Sequence, residues 1–137
     1  MSDALFAVQD AVYVLLAGNA SMQALLGAPA RIYDHAPPDA AFPFVTLGAA
    51  EAQAWDDKTG FGARQIMALH VWSRYRGRKE ALAILNAVHA LLHYGNLTVT
   101  GHNAVACRWR DSAIMLDDDG LTYHGIAHYQ ITTQASG

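Results

Sequence analysis

The chain has one cysteine, few charges and no long apolar run, and each shortage excludes something. Cys107 is the only cysteine, so no intramolecular disulfide can staple the fold, and the count leaves the redox compartment open. Charged residues make up 15% of the 137 positions, well under the usual quarter of a soluble domain. Their balance is −3, which removes any global attraction to nucleic acid. No basic segment opens the chain, and Asp3, Gln9 and Asp10 interrupt the apolar run of "MSDALFAVQDAVYVLLAG". Neither a secretory signal nor a bilayer span is expected there, and a cytoplasm is the expected place of synthesis. There is no glycine-rich phosphate loop: "GFGAR" lacks the pattern and leads into a strand.

Hydrophobic residue types fill 53% of the chain. Much of that is alanine, which suits surface buried against other subunits as well as a core. The length fits one domain, residues 1–137, able to bury about two-thirds of its unfolded surface without a metal or a disulfide. The pattern predicts two N-terminal helices within residues 1–27, at 3–17 and 21–26. Ser2 and Ser21 are the expected caps, and Gly27 is the stop. Leu5, Phe6, Val8, Val12, Leu15 and Leu16 give the first helix its spacing. Residues 28–137 read as sheet plus helix. Pro37, Pro38 and Pro43 keep the crossing irregular, and strands follow at 44–55 and 63–74. A helix over 79–93 carries Ala81, Leu82, Leu85, Val88, Leu91 and Leu92 on one stripe, and Gly95 ends it. Further strands are expected in "NLTVTG", "NAVACRWRDS" and "LTYHGIAHYQITT", with Asp117, Asp118, Asp119 and Gly120 forming a turn. The fold class is α+β: an antiparallel β-sheet with one long helix packed on it and a short N-terminal helical pair.

Candidate chemistry is sparse. His89 and His93 lie four apart on one helix, the spacing that lets two imidazoles grip a metal. No glutamate follows His89 and no third ligand stands at a telling distance, so local hydrogen bonding is the plainer reading. His124 and His128 share a strand face but are too far apart to chelate alone, because strands advance about 3.3 Å per residue. A small oligomeric ligand- or metal-binding domain built on the histidines is the alternative function. Three consecutive aspartates ending in glycine lack the alternating oxygens of a calcium loop. Alternation puts Cys107 on a strand face as a small core residue rather than a nucleophile. These residues point to no enzyme. Trp72 reads as a core or sheet-covering aromatic beside the third helix, or as an interface anchor. In "SRYRGRKEA", Arg78 and Lys79 sit at a helix start, where cations are unfavourable by roughly 0.3–1 kcal/mol each. Such a conflict marks either an external partner or a solvated loop.

The order of these segments resembles the tail-completion, or tail-terminator, proteins of long-tailed phages and gene-transfer particles. The likeness runs from "ALFAVQDAVYVLLAGNASMQALLG" through "RIYDHAPPDAAFPFVTLG" and is densest at "LHVWSRYRGRKEA". It continues in "LTVTGHNAV" and "DDDGLTYHGIAHYQITT". It implies a small α+β domain without catalytic residues, metal or cofactor. Such a domain forms a ring with itself, a hexamer in the tail, at the head-proximal end of the tail tube. The ring ends tube polymerisation and joins tail to head. The implied partners are the major tail tube protein and the head-tail connector, with no specific nucleic acid and no membrane. The implied location is the virion tail, with the host cytoplasm during assembly. On that basis Arg74, Arg76, Arg78 and Lys79 are expected at a subunit or partner interface. Their counterpart is either an acidic patch such as Asp117, Asp118 and Asp119 or acidic residues of the tube or connector. The polar stretch Asp56, Asp57, Lys58, Thr59, Gly60, Phe61 and Gly62 is expected to be a mobile docking loop.

Overall fold

Val8, Ala11, Val12 and Leu16 recur along one side of a helical spiral, and all four are buried. They define α1 (Ser2–Ala17) in a computed structural model that describes residues 2–54 and 62–135. Phe6 does not join that side. It points outward and is 72% exposed. After Gly18 the chain turns into α2 (Ala20–Leu26). Its cap is Asn19 rather than Ser21: the Asn19 side chain accepts from the Met22 backbone N–H at 3.1 Å. Ser21 cannot cap because it already lies inside the first turn. Gly27 ends the helix at φ 90°, which a residue with a Cβ rarely adopts.

The strands are β1 (Ile32–Tyr33), β2 (Phe44–Ala54), β3 (Gly62–Ser73), β4 (His102–Leu116) and β5 (Tyr123–Ala135). They form one sheet in the order β1-β2-β3-β5-β4. β2, β3, β5 and β4 are antiparallel neighbours, and the two-residue β1 adds to β2 in parallel. Between β3 and β4 runs α3 (Lys79–Leu92), which packs across β3, β5 and β4. The hairpin β4–β5 then returns into the gap beside β3. The architecture is α+β, as the sequence indicates.

Alternation assigns the two faces of the sheet. Met67, Leu69 and Val71 of β3, with Ala127, Tyr129 and Ile131 of β5 and Cys107 of β4, are buried against the helices. Ala81, Ile84, Leu85, Val88 and Leu92 of α3 meet them. Each such aliphatic side chain removed from water contributes about 1.5–3 kcal/mol. All three helices lie on this side. Trp72 does not: it alternates with Val71, so it stands on the face away from α3, and its expected place beside that helix is wrong. "NLTVTG" also departs from expectation. It stays irregular, with Leu97 and Val99 buried as plugs beneath the connection. β4 runs on to Leu116, past the expected end at Ser112. The turn at Asp117–Gly120 forms as expected, with Gly120 at φ 66°. Asp56, Asp57, Lys58, Thr59, Gly60 and Phe61 lie outside the described residues, and Gly62 opens β3.

Candidate functional site

Three surfaces carry side chains that the core does not use. The first is a charged end, where the loop after β3 meets the β4–β5 turn. Arg74 stands over the Phe42 ring at 4.3 Å and donates from Nε to Thr122 Oγ1 at 3.1 Å. It also lies 3.9 Å from Asp119 Oδ2. Asp119 accepts from the Thr122 hydroxyl (2.7 Å) and from the Leu121 and Thr122 backbone N–H groups (2.8 Å each). Those bonds, the Thr122 hydroxyl first and the Arg74 charge last, hold its carboxyl down at about 2. Arg74 and Asp119 thus tie loop to turn within one subunit. Arg78 lies 5.5 Å from the Tyr123 ring centre. Among the described residues no carboxylate stands within ion-pair distance of Arg76, Arg78 or Lys79, and no base of Asp117 or Asp118. Below the loop the buried Ser73 hydroxyl donates to Glu80 Oε1 (2.7 Å) and accepts from the Tyr75 N–H (3.2 Å). That pairing starts α3 without a capping side chain at Arg78.

The second surface is the sheet face turned away from the helices. Trp72 stacks on His124 with centroids 3.8 Å apart and planes at 11°. Its indole N–H donates to Thr46 Oγ1 at 3.1 Å. His70 Nδ1 and His124 Nε2 share a hydrogen bond at 2.8 Å, across residues paired to neighbouring strand positions. One ring must donate and the other accept, so the pair holds at most one extra proton. Burial, and then the neighbouring His124 and His128, push the His70 pKa below its usual value. Burial pushes His124 down against the opposing pull of Asp117. At the far end of this face Glu51, Gln53, Arg64, Ile66, Arg110 and Gln130 line a depression of about 430 Å³. Its arginines are spent on amides, Arg64 on Gln53 and Arg110 on Gln130.

The third surface is apolar and occupies both flanks. Phe6, Tyr13 and Val14 form an outer stripe on α1, and Tyr94, Trp109, Met115 and Leu116 stand along β4 and the end of α3. The histidine pair of the metal alternative falls here. His89 and His93 stack at 4.6 Å, and His93 Nδ1 accepts the Trp109 backbone N–H at 3.0 Å. That bond puts the neutral ring's proton on Nε2, so neither nitrogen of His93 is left open for a metal. Among the described residues no three of His, Cys, Asp and Glu gather as a metal site. Burial pushes the Cys107 thiol up to about 12, so it is not an activated nucleophile.

A profile of the family described as "Tail completion protein gp17" matches residues 10–134. The chain belongs to that family. Its members are structural proteins of the phage tail, and the virion tail is where this one sits. The "Tail completion protein gp17" of Bacillus phage SPP1 is 32% identical over 94 residues, 69% of each chain. The solved structure of bacteriophage SPP1 gp17 superposes with a TM-score of 0.66 at 26% identity, over 96% of this chain and 93% of that one. A chain in the virion of a native gene transfer agent particle shares the fold more closely, with a TM-score of 0.87 at 24% identity over 96% and 98%. The sequence carried the family resemblance and singled out the basic loop and the acidic turn, but not their meeting at one end of the subunit, nor the His70–His124 pair or the exposed aromatics. The alternation that groups Trp72 with His70 was the available signal for the open face.

Proposed function

We propose that copies of this chain close into a ring, a hexamer in the tail, on the head-proximal end of the tail tube. The ring stops tube growth and offers the head connector its docking face. Membership of the tail-completion family across nearly the whole chain carries this reading. The reading asks for no catalytic residue and no cofactor. Arg76, Arg78 and Lys79 serve a partner, but the neighbour's Asp117 and Asp118 are a poor counterpart. Arg74 already bonds Asp119 of the same subunit, so the basic loop and the acidic turn share one end of the molecule. A head-to-tail ring contact needs two surfaces a subunit's width apart. The charged end therefore suits an axial partner, tube or connector, where charge sets register and encounter rate. The stretch 56–62 is placed in this reading as a second contact with the tube.

The test is complementation of particles lacking the chain, imaged by electron microscopy. Without it, tails should be overlong and headless. The triple change Arg76→Ser, Arg78→Ser, Lys79→Ser should abolish head joining where the loop meets the connector, or leave tubes overlong where it meets the tube; normal, joined tails with this variant would remove the loop from the reading. Normal, joined tails in the complete absence of the chain would refute the reading. Protease cleavage at 56–62 that persists unchanged in assembled tails would remove that stretch from it.

A further inference from the structure

The loop after β3 and the turn before β5 leave the sheet side by side, because Ser73 pairs with Tyr123. They carry opposite charge. The loop presents Arg76, Arg78 and Lys79, all exposed, and the turn presents the half-buried Asp117 and the exposed Asp118. Among the described residues no ion pair within the subunit uses any of these side chains. The two halves are also fixed to each other. Arg74 donates to Thr122 and lies against Asp119. The Asp117 N–H donates to the Thr122 carbonyl (2.8 Å), and the Gly120 N–H donates to the Asp117 carbonyl (2.9 Å). Each half adds one outward apolar side chain, Tyr75 on the loop at 48% exposure and Leu121 on the turn at 54%.

A rigid end with a basic half beside an acidic half complements itself. A half-turn about an axis in the contact plane, between the halves, sets loop against turn twice over. Arg76, Arg78 and Lys79 of each copy then face Asp117 and Asp118 of the other, and Tyr75 faces Leu121. The turn has room for them: Met115, Leu116, Asp117, Asp118 and Asp119 line a depression of about 410 Å³. Met115 and Leu116 are exposed, an apolar bed for the stem of an arginine or lysine whose charged head reaches the aspartates. A ring neighbour cannot supply this fit, since its contact needs surfaces a subunit's width apart. A copy facing end-on can.

We infer that this end is a two-fold docking surface for a second copy of the chain, basic loop on acidic turn in both directions. The contact is isologous, so it makes pairs and cannot by itself close a ring. A ring whose charged ends all face one way would pair face to face with a second ring through the same contact, repeated at every subunit. An exposed ion pair alone adds little, so single copies pair weakly and rings pair firmly. The consequence for assembly rests on the axial reading above: the pair covers the residues that tube or connector would use, so pairing and docking compete.

Sedimentation velocity of the full chain tests the pairing, with side views of any rings by negative stain. At about 0.01 M salt, where charges act over about 30 Å, the mass should double as concentration rises, whether the unit is one copy or a ring. At about 1 M salt, where charges act over about 3 Å, the doubling should vanish. Two variants reverse one half each: Arg76→Glu with Arg78→Glu and Lys79→Glu, and Asp117→Lys with Asp118→Lys. Circular dichroism checks that both fold, and Asp117→Asn with Asp118→Lys serves if the lysine at the first position disturbs the turn. Alone, each should pair at least about 100-fold more weakly than the natural chain, because like charges then face each other. An equimolar mixture should pair one to one, and a chain carrying both sets of changes should pair with itself again. No doubling of the natural chain at low salt, doubling that persists at high salt, self-pairing of either variant, or a mixture that stays unpaired would overturn the inference. None of these touches the axial reading, which the complementation above judges: normal, joined tails from the triple serine variant remove the loop from that reading and leave the pairing standing.

Discussion

Gly125 sits in β5 directly beneath α3, opposite Val71, and a side chain there tests how tightly that helix is seated. A Cβ at this position would lie 3.2 Å from Leu85 Cδ1 and 3.5 Å from Val71 Cβ. Relaxed carbon contacts fall near 3.5–4.0 Å, so only the Leu85 methyl must give, and it lies at the end of a side chain that can turn. Alanine also narrows the unfolded ensemble, worth about 0.4–1 kcal/mol. Gly125→Ala should therefore stay within about 1 kcal/mol of the natural chain. Gly125→Val adds two further methyls to filled space, and overpacking of this kind costs about 1–3 kcal/mol. With a urea slope of about 2 kcal/mol/M, a 2 kcal/mol loss lowers the midpoint by about 1 M. Urea unfolding followed by far-ultraviolet circular dichroism, at a concentration that keeps the protein monomeric, reads the shift. The double variant with Leu85→Ala should lose less than the sum of the two single losses, because the truncation opens room for the valine. A valine variant as stable as the natural chain, or strict additivity in the pair, would refute the packing argument.

The depressed histidines give stability a pH slope. His70, His89 and His124 resist protonation when folded, so their contribution is complete above the ordinary value near 6.5. It is lost as pH falls from there toward their lowered values, because the unfolded chain takes up the protons first. The urea midpoint should drop between pH 7.5 and 5.5, and His70→Asn with His124→Asn should flatten that drop; equal slopes would count against it. Ser73→Ala strands the Glu80 carboxylate and the Tyr75 N–H and should cost about 1–2 kcal/mol by the same assay; an unchanged midpoint would show the bonds to be dispensable. Tyr94→Asn should raise stability by about 0.5–1 kcal/mol by the same assay, since asparagine tolerates positive φ. A variant that is less stable would disprove the strain.

The elements legible in the sequence were those with one dominant local signal. α3 announces itself by its apolar stripe, and the Asp117–Gly120 turn by its glycine. Other features depend on partners distant in the chain. His70 and His124 meet only because β3 pairs with β5 in one particular register, across 54 positions. Leu97 and Val99 alternate like a strand, yet they bury their side chains without joining the sheet. Phe6 fits the helical spacing of α1 as well as Val8 does, and spacing alone cannot tell a helix's core side from its outward side. The same ambiguity misplaced Trp72: both faces of β3 carry apolar groups, and only the helices' position decides which one is covered.

Along β4 the pairing steps from Trp109–Tyr129 to Asp111–His128, so Arg110 is an extra residue against β5, as Val105 is between Ala104 and Ala106. Under unbroken alternation Trp109 and Asp111 would point the same way. The added residue sends the indole toward the helices and lets the carboxylate reach His128 at 2.6 Å on the other side. Shortening or lengthening β4 by one residue would therefore exchange the sides of everything downstream to Leu116. The outermost strand, ordinarily the most forgiving place in a sheet for a length change, is here among the least.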